Sequence, residues 1–357
     1  MRIAFFASSL VSSYWNGACT YYRGIVRALH ERGHEITFFE PDAYDRQAHR
    51  DIPDPPYATV VVYDPADARE VVAGARGFDV VAKASGVGVA DDVLEEAVLE
   101  LDGVRIFWDV DAPATLASME ADAGDALRAL IPDYDLVLTY GGGDPVVERY
   151  ENLGARRCVP VYNALDPSTH HPAEADPRFT SDLAFLGNRL PDREARVEEF
   201  FFRAAERLPD RAFLIGGNGW DAGAARSGNI RHLGHVGTED HNAFNRTPLA
   251  VLNVTRESMA ANGFSPATRV FEAAGAGACL ITDAWEGIEL FLEPGEEVLV
   301  ARDGAEVAAL LDGLDAERAR AIGEAALERV LAEHTYAQRA AQVEAVLLGR
   351  EPREAAA

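Results

Sequence analysis

Short apolar runs alternate with helix-length amphipathic stretches from one end of the chain to the other. The first run, Ile3 to Ala7, gives way to a Ser/Asn/Gly loop and then to an amphipathic segment from Gly17 to Arg32. There Tyr21, Ile25 and Leu29 fall four apart, with Tyr22 and Val26 on the same face, the spacing of a helix with one buried side. Gly33 follows where a left-handed cap commonly ends a helix. Further runs occupy 35–40, 59–63, 79–83, 104–108, 135–140 and 157–162, most of them separated by helical stretches such as 91–101 and 144–153. Continuous apolar runs mark strands buried on both faces, so this alternation predicts a parallel sheet covered by helices on both sides.

The pattern stops between Asn163 and Pro177, where three prolines and no periodicity predict an interdomain linker. It restarts with runs at 182–186, 212–215, 230–233, 249–254, 279–282 and 298–301, and closes with helical stretches over 316–333 and 336–348. The expected architecture is α/β, with two Rossmann-like domains. The N-terminal one covers 1–165 and the C-terminal one 178–335, joined by a linker at 166–177. The tail from 350 to 357 is expected to fray.

Size agrees with two domains, since 357 residues exceed what one ordinary core organises. No apolar run approaches the roughly 20 residues of a membrane span, and Ile3 to Ala7 is too short for a signal-peptide core. Cys19, Cys158 and Cys279 form neither a C-x-x-C pair nor a disulfide framework, which points to a reducing cytoplasm. The formal charge of −26 argues against nucleic-acid binding, which requires clustered Lys and Arg. An acidic chain that binds an anion must gather its positive charge locally, so the position of each arginine is informative.

In open parallel sheets, ligands bind beyond the carboxyl ends of the strands. After one such strand comes Ser265-Pro266, an N-cap and first-turn pair that predicts a helix start with free N–H groups suited to a diphosphate. Thr268 and Arg269 lie in its first turn. Glu272, one turn on, is placed to accept hydrogen bonds from ribose hydroxyls, or else to form an ordinary salt bridge with Arg269. Gly187 and Asn188 lie in the loop that opens the second domain. Arg189 and Arg193 there offer forked positive charge for a departing diphosphate, with surface pairing to Asp192 or Glu194 as the alternative. Asn218, in the Gly216–Gly219 loop, and His235-Val236 are candidate crevice residues of the same half, the latter for a nucleobase.

In the first half, Asn16-Gly17 opens the first helix and Gly141 lies in a loop after a strand; both are candidate acceptor or sugar contacts. Asp109-Val-Asp111 admits a divalent-metal reading. The preferred reading is that both carboxylates line a cleft, with Asp111 the more important. His170 and His171 lie in the linker and are given no metal role. No P-loop lysine, G-x-S-x-G, H-E-x-x-H or dinucleotide-type G-x-G-x-x-G motif is present.

The run Ser265-Pro-Ala-Thr-Arg-Val-Phe-Glu-Ala-Ala-Gly-Ala-Gly277, followed by Leu-Ile-Thr-Asp, Gly287-Ile-Glu and Pro-Gly-Glu-Glu, resembles the spore-maturation CgeB-like glycosyltransferases, a group near retaining glycosyltransferase family 4. Phe185 to Arg193 is similar to the donor-domain opening of that group, and Asn16 to Glu35 to its first helix and second strand. The resemblance implies the GT-B arrangement, two Rossmann-like domains facing across a cleft. It also implies transfer of a sugar from a nucleotide-diphosphate sugar to a small-molecule, glycan or protein acceptor. On it, Glu272 binds the ribose, Arg189 and Arg193 serve the diphosphate, and the final helix near 336–348 crosses back to the N-terminal domain. The expected transfer needs no metal cofactor and retains the anomeric configuration, as that group does. One position departs: the second glutamate often found eight residues before the ribose-binding one is Phe264 here. A nucleotide-sugar 2-epimerase and a catalytically silent binding module are the alternatives.

Overall fold

The computed structural model describes residues 1–14, 16–220 and 227–350. The chain divides into two compact units. One comprises 1–163 with the C-terminal segment from Tyr336; the other comprises 164–335.

In the first unit the strands are β1 (Arg2–Phe6), β2 (Glu35–Pro41), β3 (Thr59–Tyr63), β4 (Val80–Ala84), β5 (Val104–Asp109), β6 (Leu136–Thr139) and β7 (Cys158–Pro160). They form one sheet in the order β3-β2-β1-β4-β5-β6-β7, every pairing parallel. Ile3 lies opposite Ile36 on one side and Val80 on the other, so the central strands are apolar on both faces and fully covered. The order reverses between β1 and β4, which makes that junction the topological switch point of this sheet.

The helix Cys19–Glu31 packs against Tyr336–Leu347, which belongs to this unit. Gly24 permits the approach, because a Cβ there would lie 2.2 Å from the Tyr336 ring. Gln342 Nε2 donates to the Pro160 carbonyl at 2.9 Å, and Tyr21 donates its hydroxyl proton to the Val161 carbonyl at 2.8 Å. These contacts tie the last helix to the end of β7.

The second unit has strands β8 (Leu183–Leu186), β9 (Phe213–Gly216), β10 (Ile230–Gly234), β11 (Ala250–Asn253), β12 (Leu280–Asp283) and β13 (Leu299–Ala301). Their order is β10-β9-β8-β11-β12-β13, again all parallel, with the switch point between β8 and β11. Phe185, Phe201, Phe213 and Ile281 share the core beneath it.

The Pro-rich stretch is held on this second unit. The His171 N–H donates to Asn242 Oδ1, Asn242 donates back to the Thr169 carbonyl, and the Asp176 N–H donates to Thr247. Leu165 pairs with Thr335, and its N–H donates to the His334 carbonyl at 2.7 Å.

Cys19, Cys158 and Cys279 are free, buried thiols. Burial pushes the Cys19 and Cys279 thiols up to about 12, so neither is a nucleophile at neutral pH. Among the described residues no helix is long and apolar enough to cross a membrane.

Candidate functional site

The loops beyond β8 and β9 are laced together at the switch point of the second sheet. The Gly187 N–H donates to the Gly216 carbonyl, the Arg189 N–H to the Asn218 carbonyl, and the Asn218 N–H to Asn188 Oδ1 at 2.9 Å. Trp220 Nε1 donates to the Gly187 carbonyl at 2.7 Å. Gly217 has φ +115°, and a Cβ there would lie 2.2 Å from the Gly187 oxygen. Glycine is required here because two backbones touch. Gly187, Asn188 and Asn218 thus build the rim of the crevice through their own hydrogen bonds.

Next to this rim stands a group of arginines. The helix Pro191–Val197 begins at Leu190 and carries Asp192, Arg193 and Arg196. Arg196 bonds the fully buried Asp283 at 2.6 Å and Glu257 at 3.0 Å. Arg256 pairs with Asp192 at 2.5 Å, and Arg269 faces Glu272 at 3.7 Å. Arg193 differs from them all. Its Nη2 donates to the Asn188 carbonyl at 2.6 Å, its guanidinium lies 5.7 Å from the Phe185 ring centroid, and its Nε is buried without a partner. No carboxylate among the described residues pairs with it. Burial, then the positive charge of Arg269 and that of Arg256, lower its pKa against the opposing pull of Asp192. Arg189 turns the other way, half-exposed and paired with Glu194, which is the surface arrangement weighed against a diphosphate role.

The helix carrying Glu272 runs over Thr268–Gly275, with Ala267 at the N-cap and no side-chain cap. This corrects the expectation that Ser265 caps it and Pro266 opens it. Gly263 (φ +68°) and Phe264 (φ +46°) turn the backbone sharply, and the Phe264 N–H is drawn onto the Glu286 carbonyl at 2.6 Å. Ser265 is thereby carried into the interior, where its hydroxyl is buried without a partner. Thr268 becomes the first helical residue, and among the described residues no side chain caps that helix.

Three cationic or titratable side chains surround Glu272. Arg269 is 3.7 Å away and also reaches Asn245 at 3.3 Å; His170 Nε2 is 4.0 Å from the carboxylate; the His170 and His241 rings are 6.4 Å apart. Neither histidine was singled out for this role by sequence. They lie about 100 and 30 residues from Glu272 and meet it only through folding. Val236 is buried against Gly216 and hydrogen-bonds His241 through its backbone, whereas His235 is exposed.

Burial, then Arg269, hold the His241 imidazole below its ordinary value of about 6.5. A base that charges less readily when folded favours the folded state above its unfolded pKa and loses that advantage as pH falls through it. Glu272 acts in the same direction in a lower window. Burial alone would raise its pKa, but Arg269, His170 and His241 together hold it below the usual carboxylate value. Its contribution is present above about 4.3 and lost as pH falls through the lowered folded value. The melting point of the C-terminal unit is therefore expected to fall as pH drops from 7 to 5.5. His241→Asn should flatten the curve over that interval alone, as differential scanning calorimetry would read.

In the first unit the structure reassigns the acidic pair. Asp109 is fully buried at the end of β5. It accepts from Ser85 Oγ at 2.7 Å, Thr115 Oγ1 at 2.9 Å, the Asp111 N–H at 2.9 Å and the Tyr150 hydroxyl at 2.5 Å. It is saturated by neutral donors and lines no open surface, which corrects both the cleft-lining and the metal reading for this residue. Asp111 is the cap residue of the helix Ala112–Ala121 and partly exposed. Among the described residues no group of three or more His, Cys, Asp or Glu is arranged to hold a metal ion. Asn16 is also buried, accepting from Ser8 Oγ and donating to the Ser9 and Ser12 carbonyls, so it shapes its loop instead of offering a free amide. Gly17 is exposed, and a Cβ there would meet nothing within 4 Å. Gly141 is buried, and its neighbour Gly142 takes φ +96° at the start of the next helix.

A sequence-family model described as "Glycosyl transferase-like" matches residues 193–345. Among curated proteins, none matches the chain. Solved structures similar to it include sucrose-phosphate synthase from Thermosynechococcus elongatus, at TM-score 0.69 and 13% identity, with 98% of each chain covered. The Escherichia coli trehalose-6-phosphate synthase bound with UDP-2-fluoro glucose superposes at TM-score 0.70 and 12% identity, covering 99% of this chain and 100% of that one. The Anabaena protein HepE in complex with UDP and glucose gives TM-score 0.67 and 12% identity, covering 98% of this chain and 100% of that one. Residues 193–345 thus match a glycosyl transferase-like family model, within a chain whose fold is the GT-B fold of these solved structures.

Proposed function

We propose that the chain transfers a hexose from a UDP-sugar to an acceptor without an essential metal ion and with retention of configuration, as a CgeB-like relative of family 4. The observation that carries this reading is Arg193, a partly buried guanidinium with no carboxylate partner, beside Arg269 and Arg256, in a chain of net charge −26. A buried positive charge that no paired carboxylate neutralises is costly to maintain, and a bound diphosphate would neutralise it. Structurally similar proteins include ones solved with UDP, UDP-glucose or UDP-2-fluoro glucose, which favours uridine as the base.

In this mechanism Arg193 and Arg269, with the uncapped N–H groups at Thr268, take up the charge that develops on the departing UDP. Glu272 accepts hydrogen bonds from the ribose hydroxyls. His170 and Arg269 keep it ionised and therefore acceptor-only. Charge neutralisation by guanidinium groups makes a divalent ion dispensable, so chelation with EDTA should leave the rate unchanged. The free, buried thiols accord with a reducing compartment such as the cytoplasm.

The test is calorimetric titration with UDP, GDP, TDP, CMP and ADP. UDP should bind, and Glu272→Ala should weaken it by about 10- to 150-fold, the worth of hydrogen bonds to a charged group. Equal affinity for UDP in the variant would remove Glu272 from the donor site. Binding of another nucleotide in place of UDP would change the donor.

A further inference from the structure

The first sheet has its own switch point, between β1 and β4, and the loops that leave it carry chemistry the donor site does not use. Tyr14 follows β1, Tyr44 and His49 follow β2, and Gly88 follows β4. Both tyrosines are large rings left in solvent, Tyr14 at 39% and Tyr44 at 50% exposure. Neither is loosely held. The Tyr14 ring stacks on His49 with centroids 4.0 Å apart and planes 9° from parallel. Tyr44 donates its hydroxyl proton to the Gly88 carbonyl at 2.6 Å, and the buried Arg46 guanidinium lies 4.9 Å from its ring centroid.

The backbone that presents Tyr44 is strained. Tyr44 and Asp45 take φ +57° and +55°, two consecutive left-handed residues that are not glycine. For a bulky aromatic this is a true outlier, of the kind that persists where surrounding contacts enforce it and that gathers at ligand sites. Gly88 has φ +95°, and a Cβ there would lie 2.9 Å from the tyrosine hydroxyl. Two neighbouring loops are therefore shaped to hold one exposed ring still.

We propose that Tyr14 and Tyr44 form the platform for a neutral carbohydrate acceptor. This deepens the transferase reading above and rests on it for the word acceptor, though not for the binding itself. Rigid aromatic faces take the C–H face of a sugar ring, while polar groups around them read its hydroxyls. Those polar groups are acidic. Between Glu40 and Asp54 the chain has five carboxylates against two arginines, and the side chains of Asp42 and Asp45 are exposed. The arginines nearby are committed: Arg23 forks onto Asp51, Arg50 pairs with Asp54, and Arg46 is buried, donating to the Ser8 and Val87 carbonyls. A phosphorylated sugar would meet repulsion here, and a neutral one would find acceptors for its hydroxyl protons.

Saturation-transfer NMR on the full chain tests this, with and without UDP. The probes are maltose, lactose, cellobiose, chitobiose and methyl mannoside, against glucose 6-phosphate, fructose 6-phosphate and the flat aglycone quercetin. At least one neutral sugar should receive saturation. Tyr14→Ala and Tyr44→Ala should each weaken it about 2- to 12-fold, and Tyr14→Phe, which keeps the ring, should not. Thermal melts confirm that the variants fold. No transfer to any neutral sugar, equal transfer in the alanine variants, or preference for a phosphorylated sugar or quercetin would each overturn the proposal. Calorimetry with UDP separates the two readings. UDP binding without sugar binding removes only the platform, and sugar binding without UDP binding removes only the donor assignment.

Discussion

Replacing Arg193 by alanine is expected to lower the rate of sugar transfer by about 10²–10³-fold, the cost of removing one preorganised donor from a developing oxyanion. The C-terminal unit should melt no earlier than before. The two halves of this result belong together. Most partly buried arginines stabilise a fold through a carboxylate partner, and their loss leaves that carboxylate stranded. Arg193 has no such partner, and burial and the charges of Arg269 and Arg256 already disfavour its charged form. What stability it contributes comes from one hydrogen bond to the Asn188 carbonyl and the contact with Phe185. Removing it also relieves repulsion, so the net change in stability is small while the charge at the leaving group is lost. Arg193→Lys keeps the charge but not the fork and should recover part of the rate. Arg189→Ala, which cuts an exposed pair with Glu194, should leave the rate nearly unchanged. Initial rates of UDP release, read beside melting curves of the same variants, decide the matter. A variant that loses stability in step with rate would make Arg193 a structural residue.

The architecture was legible because parallel strands buried on both faces must be written as apolar runs, and among the described residues most strands apart from the sheet edges are of that kind. The spacing of Tyr21, Ile25 and Leu29 likewise announces its helix, and the structure buries all three. The site was legible only where local sequence decides geometry. Arg269 and Glu272 share a helix face by spacing alone. Ser265-Pro266 misled because the pair carries the signature of a helix start, whereas two left-handed residues before it displace the start to Thr268. No local signal marks Phe264 as left-handed, since its conformation is enforced by the Glu286 carbonyl. The convergence of His170, His241 and Arg269 on Glu272 is a tertiary fact, hidden in a sequence where the two histidines lie 71 positions apart. The difference between Arg189 and Arg193 is of the same kind: they lie four positions apart, yet one turns to Glu194 and the other to the Asn188 carbonyl.

Asp109 makes the converse point, and its replacement should be the most destabilising change considered. In Asp109→Ala four donors lose their acceptor at once: the buried hydroxyls of Ser85 and Tyr150, and the partly buried Thr115 hydroxyl and Asp111 N–H. An unsatisfied buried donor costs about 1–3 kcal/mol. Some hydroxyls will find other partners, since Ser85 Oγ already accepts from the Val110 N–H and Thr115 also reaches the Asp111 carbonyl. A net loss of about 3–5 kcal/mol is therefore expected, which for a unit of this size lowers its melting point by roughly 6–20 °C. Had Asp109 been half of a metal-binding pair, its loss would abolish activity at constant stability. A carboxylate wholly enclosed by neutral donors predicts the reverse, an early-melting N-terminal unit beside a C-terminal unit that still binds UDP. Scanning calorimetry in the presence of UDP separates the two transitions, because the nucleotide raises only the midpoint of the unit that binds it. Asp109→Asn supplies the finer discrimination. Its amide keeps one acceptor oxygen, so it should recover part of the lost stability, whereas at a metal site the amide would be nearly as damaging to activity as alanine.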